Sequence, residues 1–147
     1  MFNSILVPTD GSQLSEKAVQ EAMLLAKMSH ANVVALHIYP EFAGCPYGAF
    51  GLAEGMLAEA HVQRHEAEAG KLFDRIKNLA RAAGVALETA LVQSNDVYAQ
   101  IIAVAKKKKC DLICMASHGR RGLSGIILGS ETHKVLTHSK VPVLVLR

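Results

Sequence analysis

The chain has 147 residues, half of them hydrophobic, 20% charged and only 5% aromatic, with no Trp. That balance excludes a disordered or fibrous chain and suits a single domain over 1–147 whose core rests on Val, Ile, Leu, Ala and Met. Sixteen Lys and Arg against thirteen Asp and Glu leave a net charge of +3, too little to argue for nucleic-acid binding, and no apolar run approaches the roughly 18–20 residues of a membrane span.

Ser4–Val7 (SILV) reads as a buried strand, ended by Pro8-Thr9-Asp10-Gly11-Ser12. Ser12 is a good N-cap for a helix from about Gln13 to Ser29, with Ala18, Val19, Ala22, Met23 and Ala26 on one face. Asn32–Tyr39 (NVVALHIY) is apolar on both faces, as a central parallel strand should be. Pro40–Gly51 reads as a surface loop. Leu52 to Ala83 is rich in Ala, Glu, Lys, Arg and Leu, a long helix stopped by Gly84 and weakened locally by Gly55 and Gly70. A third strand is expected at Val85–Val92. Asn95-Asp96 caps a helix from Val97 to about Lys109, with Val97, Ile101 and Ala105 inward. Asp111–Met115 (DLICM) is the fourth strand. A Gly-rich loop, Ser117–Gly129, leads to a helix from about Ser130 to Thr137, and Val141–Leu146 (VPVLVL) is the last strand.

Strands alternating with helices imply an α/β domain with a parallel sheet and helices on both faces. Pro142 cannot donate a ladder hydrogen bond, which places the last strand at a sheet edge. An apolar edge is an aggregation hazard unless covered, and pairing with a second copy would cover it. The three cysteines, Cys45, Cys110 and Cys114, are too few and oddly numbered for a disulfide scaffold. They read as plain reduced thiols, and the expected compartment is a reducing cytoplasm. The apolar start lacks the basic region of a secretory signal.

Ligands of open parallel sheets bind beyond the carboxyl ends of the strands, near the switch in strand order. Two segments fall there: Pro8–Ser12 after the first strand, and Ala116-Ser117-His118-Gly119-Arg120-Arg121-Gly122 after the fourth. Gly129-Ser130 opens the last helix, where unpaired N–H groups and the helix dipole suit a phosphate. Arg120 and Arg121 add positive charge, and the Asp10 carboxylate can hold a ribose hydroxyl. Spacing alone equally allows Asp10 and Ser130 to be plain helix caps and the glycines plain turns. GxxxxGK[ST], GxGxxG after the first strand and GxSxG are all absent.

These residues resemble the universal stress protein family, small α/β nucleotide-binding proteins, over essentially the whole chain. Ile5–Ser12 looks like the family's opening strand with its adenosine-binding Asp. Met115–Gly119 through Leu128-Gly129-Ser130, then Pro142–Val145, looks like its signature loop and closing strand. The resemblance implies a five-stranded parallel open sheet of order 3-2-1-4-5, a Rossmann-like fold of the adenine nucleotide alpha hydrolase type. ATP-binding members carry Gly, two residues, Gly, nine residues, Gly, then Ser or Thr. Gly119, Gly129 and Ser130 fit, but Ala116 replaces the first Gly. Its methyl would obstruct the phosphates or disfavour a positive φ, so weakened binding is expected.

By resemblance, Pro8, Thr9 and Asp10 contact adenine and ribose, and the backbone at Ile38 meets the adenine edge. Gly119, Arg120, Gly129, Ser130, Glu131 and Thr132 surround the phosphates, mostly through main-chain N–H groups, and Met115, Ala116 and His118 complete the nucleotide-binding set. Asn95 stands where the family often has Gly, a place where Asn tolerates a left-handed turn. The implied ligand is ATP, with AMP or cyclic AMP as variants, and Mg²⁺ beside it. The implied role is regulatory, in a stress response, with little or slow hydrolysis. The alternatives are a dimeric interaction module without nucleotide, which Ala116 favours, and a phosphate-cleaving enzyme, for which only Asp10 and Glu131 offer themselves.

Some residues stay outside this scheme. His118 touches phosphate or makes a loop hydrogen bond. His37 reads as a satisfied core or semi-buried strand residue. His61 and His65 have zinc-pair spacing on a helix but no HExxH. Lys106–Lys109 reads as a solvated helix end. The loop Phe42–Phe50 is a lid or a dimer contact.

Overall fold

A computed structural model describes residues 1–44, 51–119 and 128–147. Its elements are β1 (Ser4–Pro8), α1 (Gln13–Ser29), β2 (Asn32–Tyr39), α2 (Leu52–Ala83), β3 (Leu87–Gln93), α3 (Val97–Lys107), β4 (Leu112–Ala116), α4 (Ser130–His138) and β5 (Val143–Leu146). All five strands are parallel, in the order β3-β2-β1-β4-β5. The expected doubly wound α/β sheet is therefore present.

Alternation along the central strands divides the core in two. Ile5 and Val7 of β1, with Val33 and Ala35 of β2, face α1 and the second half of α2. Leu6, Val34, Leu36 and Ile113 face α3 and α4 with Ile101, Val104 and Val135. Each such aliphatic side chain, buried on both sides of the sheet, stabilises the fold by about 1.5–3 kcal/mol. The face read for α1 is the buried one: Ala18, Val19, Ala22, Met23 and Ala26 all point inward, and Ser12 caps the helix through Ser15 N. Ile101 and Ala105 are buried on α3, with Val97 packed beside them.

Several boundaries move, each for a local reason. β3 starts at Leu87, because Val85 N donates back to Ala80 O at the end of α2. α3 stops at Lys107, and Lys109 takes a left-handed φ of 53° that turns the chain toward β4. β5 starts at Val143, since Pro142 has no N–H; its carbonyl still accepts from Ile113 N at 2.9 Å. The edge position of β5 is as expected. Asn95 does not take the left-handed turn expected of it. Its side chain is tied instead to Glu41, accepting from Glu41 N at 3.1 Å. Cys110 and Cys114 are buried and unbridged; Cys45 lies outside the described residues.

Candidate functional site

The order β2-β1-β4 puts the topological switch between β1 and β4, and the loops that follow these two strands meet there. After β1 the chain turns at Gly11, whose φ of 75° suits glycine, into α1. Asp10 Oδ1 accepts from Ser12 N at 3.0 Å, an Asx turn that holds the carboxylate at the strand end. Its other oxygen faces the second loop. A Cβ built on Gly119 would stand 2.5 Å from Asp10 Oδ2, so any larger residue there would push the carboxylate aside.

The loop after β4 is fixed from beneath. Ser117 N donates to Leu146 O at 2.7 Å, and Ser117 O accepts from Gly129 N at 2.7 Å. Thr132, buried on α4, donates Oγ1–H to Ala116 O at 3.0 Å. A Cβ on Gly129 would meet His118 Cα and Ser117 O at 3.2 Å, so a larger residue there would press on this backbone by a few tenths of an ångström. These bonds hold the amino terminus of α4 beside the Ser117–Gly119 loop. The N-cap of α4, Gly129, has no side chain to offer, and among the described residues no other side chain caps the helix. The N–H groups of Ser130, Glu131 and Thr132 have no acceptor among the described residues, as the first turn of a helix requires unless a ligand or water accepts. The arrangement offers an anion the positive end of a helix and, within the same crevice, a carboxylate for hydroxyl donors.

The sequence-derived residues fall into groups. Pro8, Thr9, Asp10, His118, Gly119, Gly129 and Ser130 line the ends of β1 and β4 and the start of α4. Ile38 is half-buried near the carboxyl end of β2. Met115 is buried in the core against the α3–α4 layer. His118 Nδ1 lies 3.2 Å from Ser117 Oγ, a bond within the loop. Arg120, Arg121 and most of the loop Phe42–Phe50 lie outside the described residues.

Two residues stand differently from their sequence reading. Ala116 follows Leu112 and Cys114 on the strand face that packs against α1 and α2. By alternation its methyl is turned from α4, and its φ is not positive. Neither obstacle expected of it arises from the strand geometry. Glu131 uses its carboxylate structurally: Oε2 accepts from Tyr98 N at 2.9 Å, and Lys134 Nζ donates to Oε1 at 2.9 Å. It thus caps α3, whose own N-cap Asp96 makes no side-chain capping bond. The bond to Glu131 raises the Lys134 pKa.

Sequence reasoning saw the helical spacing of His61 and His65 on α2 but not their packing on Tyr39 at the end of β2. His65 stacks on Tyr39 with ring centroids 4.9 Å apart, and His61 meets His65 edge-on at 4.5 Å. His61 Nε2 donates to Pro40 O at 2.8 Å. Burial, then the neighbouring His61, lowers the His65 pKa below 6.5. A cavity of about 400 Å³ between α1 and α2 is lined by Thr9 and by Glu16 and Arg75, paired at 3.2 Å.

Comparison with known proteins agrees with this geometry. The model of the universal stress protein family matches residues 1–147. Universal stress protein YxiE of Bacillus subtilis is 34% identical over the full length of both chains. Universal stress protein MJ0577 of Methanocaldococcus jannaschii is 30% identical, covering all of this chain and 96% of that one. The solved MJ0577 structure superposes with a TM-score of 0.83 over 99% of this chain and 96% of its own. Two solved universal stress proteins share the fold at lower identity. One, in complex with cAMP, is 23% identical with a TM-score of 0.72, covering 99% of this chain and 97% of that one. The other, from Archaeoglobus fulgidus in complex with dAMP, is 18% identical with a TM-score of 0.65, covering 99% and 98%. The chain belongs to the universal stress protein family.

Proposed function

We propose that this protein binds an adenine nucleotide, ATP in the first instance, in the crevice between β1 and β4, and serves a regulatory role in a stress response. The observation that carries the reading is the meeting of Asp10 with Gly119 beside the uncapped amino terminus of α4. A nucleotide needs both halves: a carboxylate for ribose hydroxyls and an N–H array for phosphate oxygens. Asp10 holds the ribose, and Pro8, Thr9 and the Ile38 backbone border the base. The N–H groups of Gly119, Ser130, Glu131 and Thr132 receive the phosphates, with Arg120 adding charge. The neighbours solved with cAMP and dAMP support adenine as the base.

The carboxylate of Glu131 is committed to Tyr98 and Lys134, so Mg²⁺ would be carried mainly by the phosphates, and Asp10 is occupied at one oxygen by Ser12. Neither is placed as a general base, which fits slow hydrolysis or none. The reading continues with a cytoplasmic homodimer, two copies meeting at the β5 edge, where Leu144 is 38% exposed. The test is the nucleotide content of freshly purified, heat-denatured protein, by mass spectrometry, followed by calorimetric titration with ATP with and without Mg²⁺, AMP and cAMP. Nucleotide near one per chain, or a saturable heat, is expected. Protein that is empty and takes up none of these ligands overturns the reading and leaves the dimeric interaction module.

A further inference from the structure

His37 sits one residue before Ile38 on β2, on the same strand face as Val33 and Ala35. Its Nδ1 lies 2.8 Å from the carbonyl oxygen of Thr9. A carbonyl can only accept, so Nδ1 carries the hydrogen and the neutral ring is the Nδ1–H tautomer. Thr9 is thereby held on every polar atom. Its N–H donates to Leu36 O at 2.8 Å, its hydroxyl pairs with Ser15 Oγ at 2.9 Å and accepts from Gly11 N at 3.2 Å, and its carbonyl accepts from His37.

The consequence falls on Asp10. The peptide unit joining Thr9 to Asp10 is planar, so fixing the Thr9 oxygen fixes the Asp10 nitrogen and the axis about which Asp10 turns. Asp10 then reaches Ser12 N with one oxygen and stands against Gly119 with the other. Were the Thr9 carbonyl released, this peptide plane could rotate, and the carboxylate would move with it. Backbone pairing alone does not prevent this, because β1 ends at Pro8.

We propose that His37 is a positioning residue for the nucleotide loop: through Nδ1–H it anchors the Thr9 carbonyl and so sets where the Asp10 carboxylate meets the ribose. This rests on the nucleotide reading above for its effect on binding, but not for its effect on the loop.

The experiment therefore has two parts. Long-range ¹⁵N–¹H correlation spectra of the nucleotide-free protein at pH 8 report the His37 tautomer, and amide spectra report Asp10 and Gly11. The expected result is Nδ1–H in the wild type, with Asp10 and Gly11 amide shifts displaced in His37→Leu and restored in His37→Asn, whose Nδ2 can donate from nearly the same place. Calorimetry then compares AMP with its 2′- and 3′-deoxy analogues. His37→Leu should weaken AMP about three- to tenfold, the scale of one neutral hydrogen bond. Its preference for ribose over deoxyribose should shrink with it, while His37→Asn recovers both. A merely structural role would weaken all the analogues equally. An Nε2–H tautomer, or a Leu variant with unmoved Asp10 and Gly11 amides, overturns the proposal, as does an unchanged ribose preference. If the wild type binds no nucleotide, the functional reading falls and the tautomer and amide shifts still decide the anchor. If His37→Leu fails to fold, the wild-type tautomer and His37→Asn decide it.

Discussion

Gly119→Ala is the sharpest probe of the crevice. The new Cβ would stand 2.5 Å from Asp10 Oδ2, where an ordinary contact begins at 3.4 Å. The obstacle is a carboxylate rather than backbone, so the carboxylate yields by roughly 0.9 Å. That displacement breaks its placement toward a ribose and strains its bond from Ser12 N. A hydrogen bond to a charged group contributes about 1.5–3 kcal/mol, so AMP and ATP should bind about tenfold to 150-fold more weakly. The fold should be nearly indifferent, because Gly119 is exposed and the shift is confined to a loop end. Surface changes of this kind stay within about 0.5 kcal/mol, which moves the melting temperature by about 2 °C or less for a chain of this size. The assay is calorimetric titration of wild type and variant, beside a thermal melt. Wild-type affinity in Gly119→Ala would refute the idea that Asp10 placed against Gly119 makes the site.

Ala116→Gly should not tighten nucleotide binding, because strand alternation puts the methyl on the face of Leu112 and Cys114; it should lower stability by about 1 kcal/mol from added backbone freedom, and calorimetry showing a clear gain in affinity would reinstate the methyl as an obstacle. Burial pushes the Cys114 thiol up to about 11, leaving about one thiolate in a thousand at pH 8; mass mapping after iodoacetamide should find Cys114 unlabelled until denaturant is added, and prompt labelling of native protein would contradict its burial. The lowered pKa of His65 means that the docked ring is neutral, so its contribution is complete above the unbound value of 6.5 and is lost as pH falls below it. The facing groups are His61, Glu68, Arg64 and His37, and an NMR titration should give a midpoint under 6.5 for His65, with a midpoint above that value counting against the stack. Leu144→Lys should convert a dimer to a monomer in light scattering; a wild type already monomeric at high concentration removes the β5 interface.

Local signals carried the fold well because the strands are short apolar runs and the helices have clear stops. Gly84 ends α2 where it was expected, and Ser12 begins α1. The end of α3 had no such mark: Lys109 turns left-handed without being Gly or Asn, and Lys108 is drawn into a pair with Glu88 of β3. The candidate site was legible as two segments and a helix start, but not as contacts. That Gly119 exists to admit Asp10 depends on a loop more than a hundred positions away. The Glu131 carboxylate offered itself for phosphate chemistry by its place in the motif; its partner Tyr98 N belongs to another helix, which no periodicity reveals. His37 was legible as a satisfied, half-buried strand residue, but its partner, the Thr9 carbonyl in the loop after β1, was not.

The 32 residues of α2 extend about 48 Å at the helical rise, yet its buried residues, Ala69, Leu72, Phe73, Ile76 and Ala80, all belong to the second half. The first half meets the rest mainly through His61, Val62 and His65, with Leu52, Met56 and Leu57 turned outward. This split in burial predicts two cooperative units along one helix. Amide exchange along it should step from fast to slow near Ala69, the slow part opening only with the whole sheet. A melting curve will report the sheet unit and pass over the helix tip. Evolution or design can therefore rewrite the outward residues of that tip, and with them whatever it touches, while the nucleotide crevice and its supporting core remain as they are.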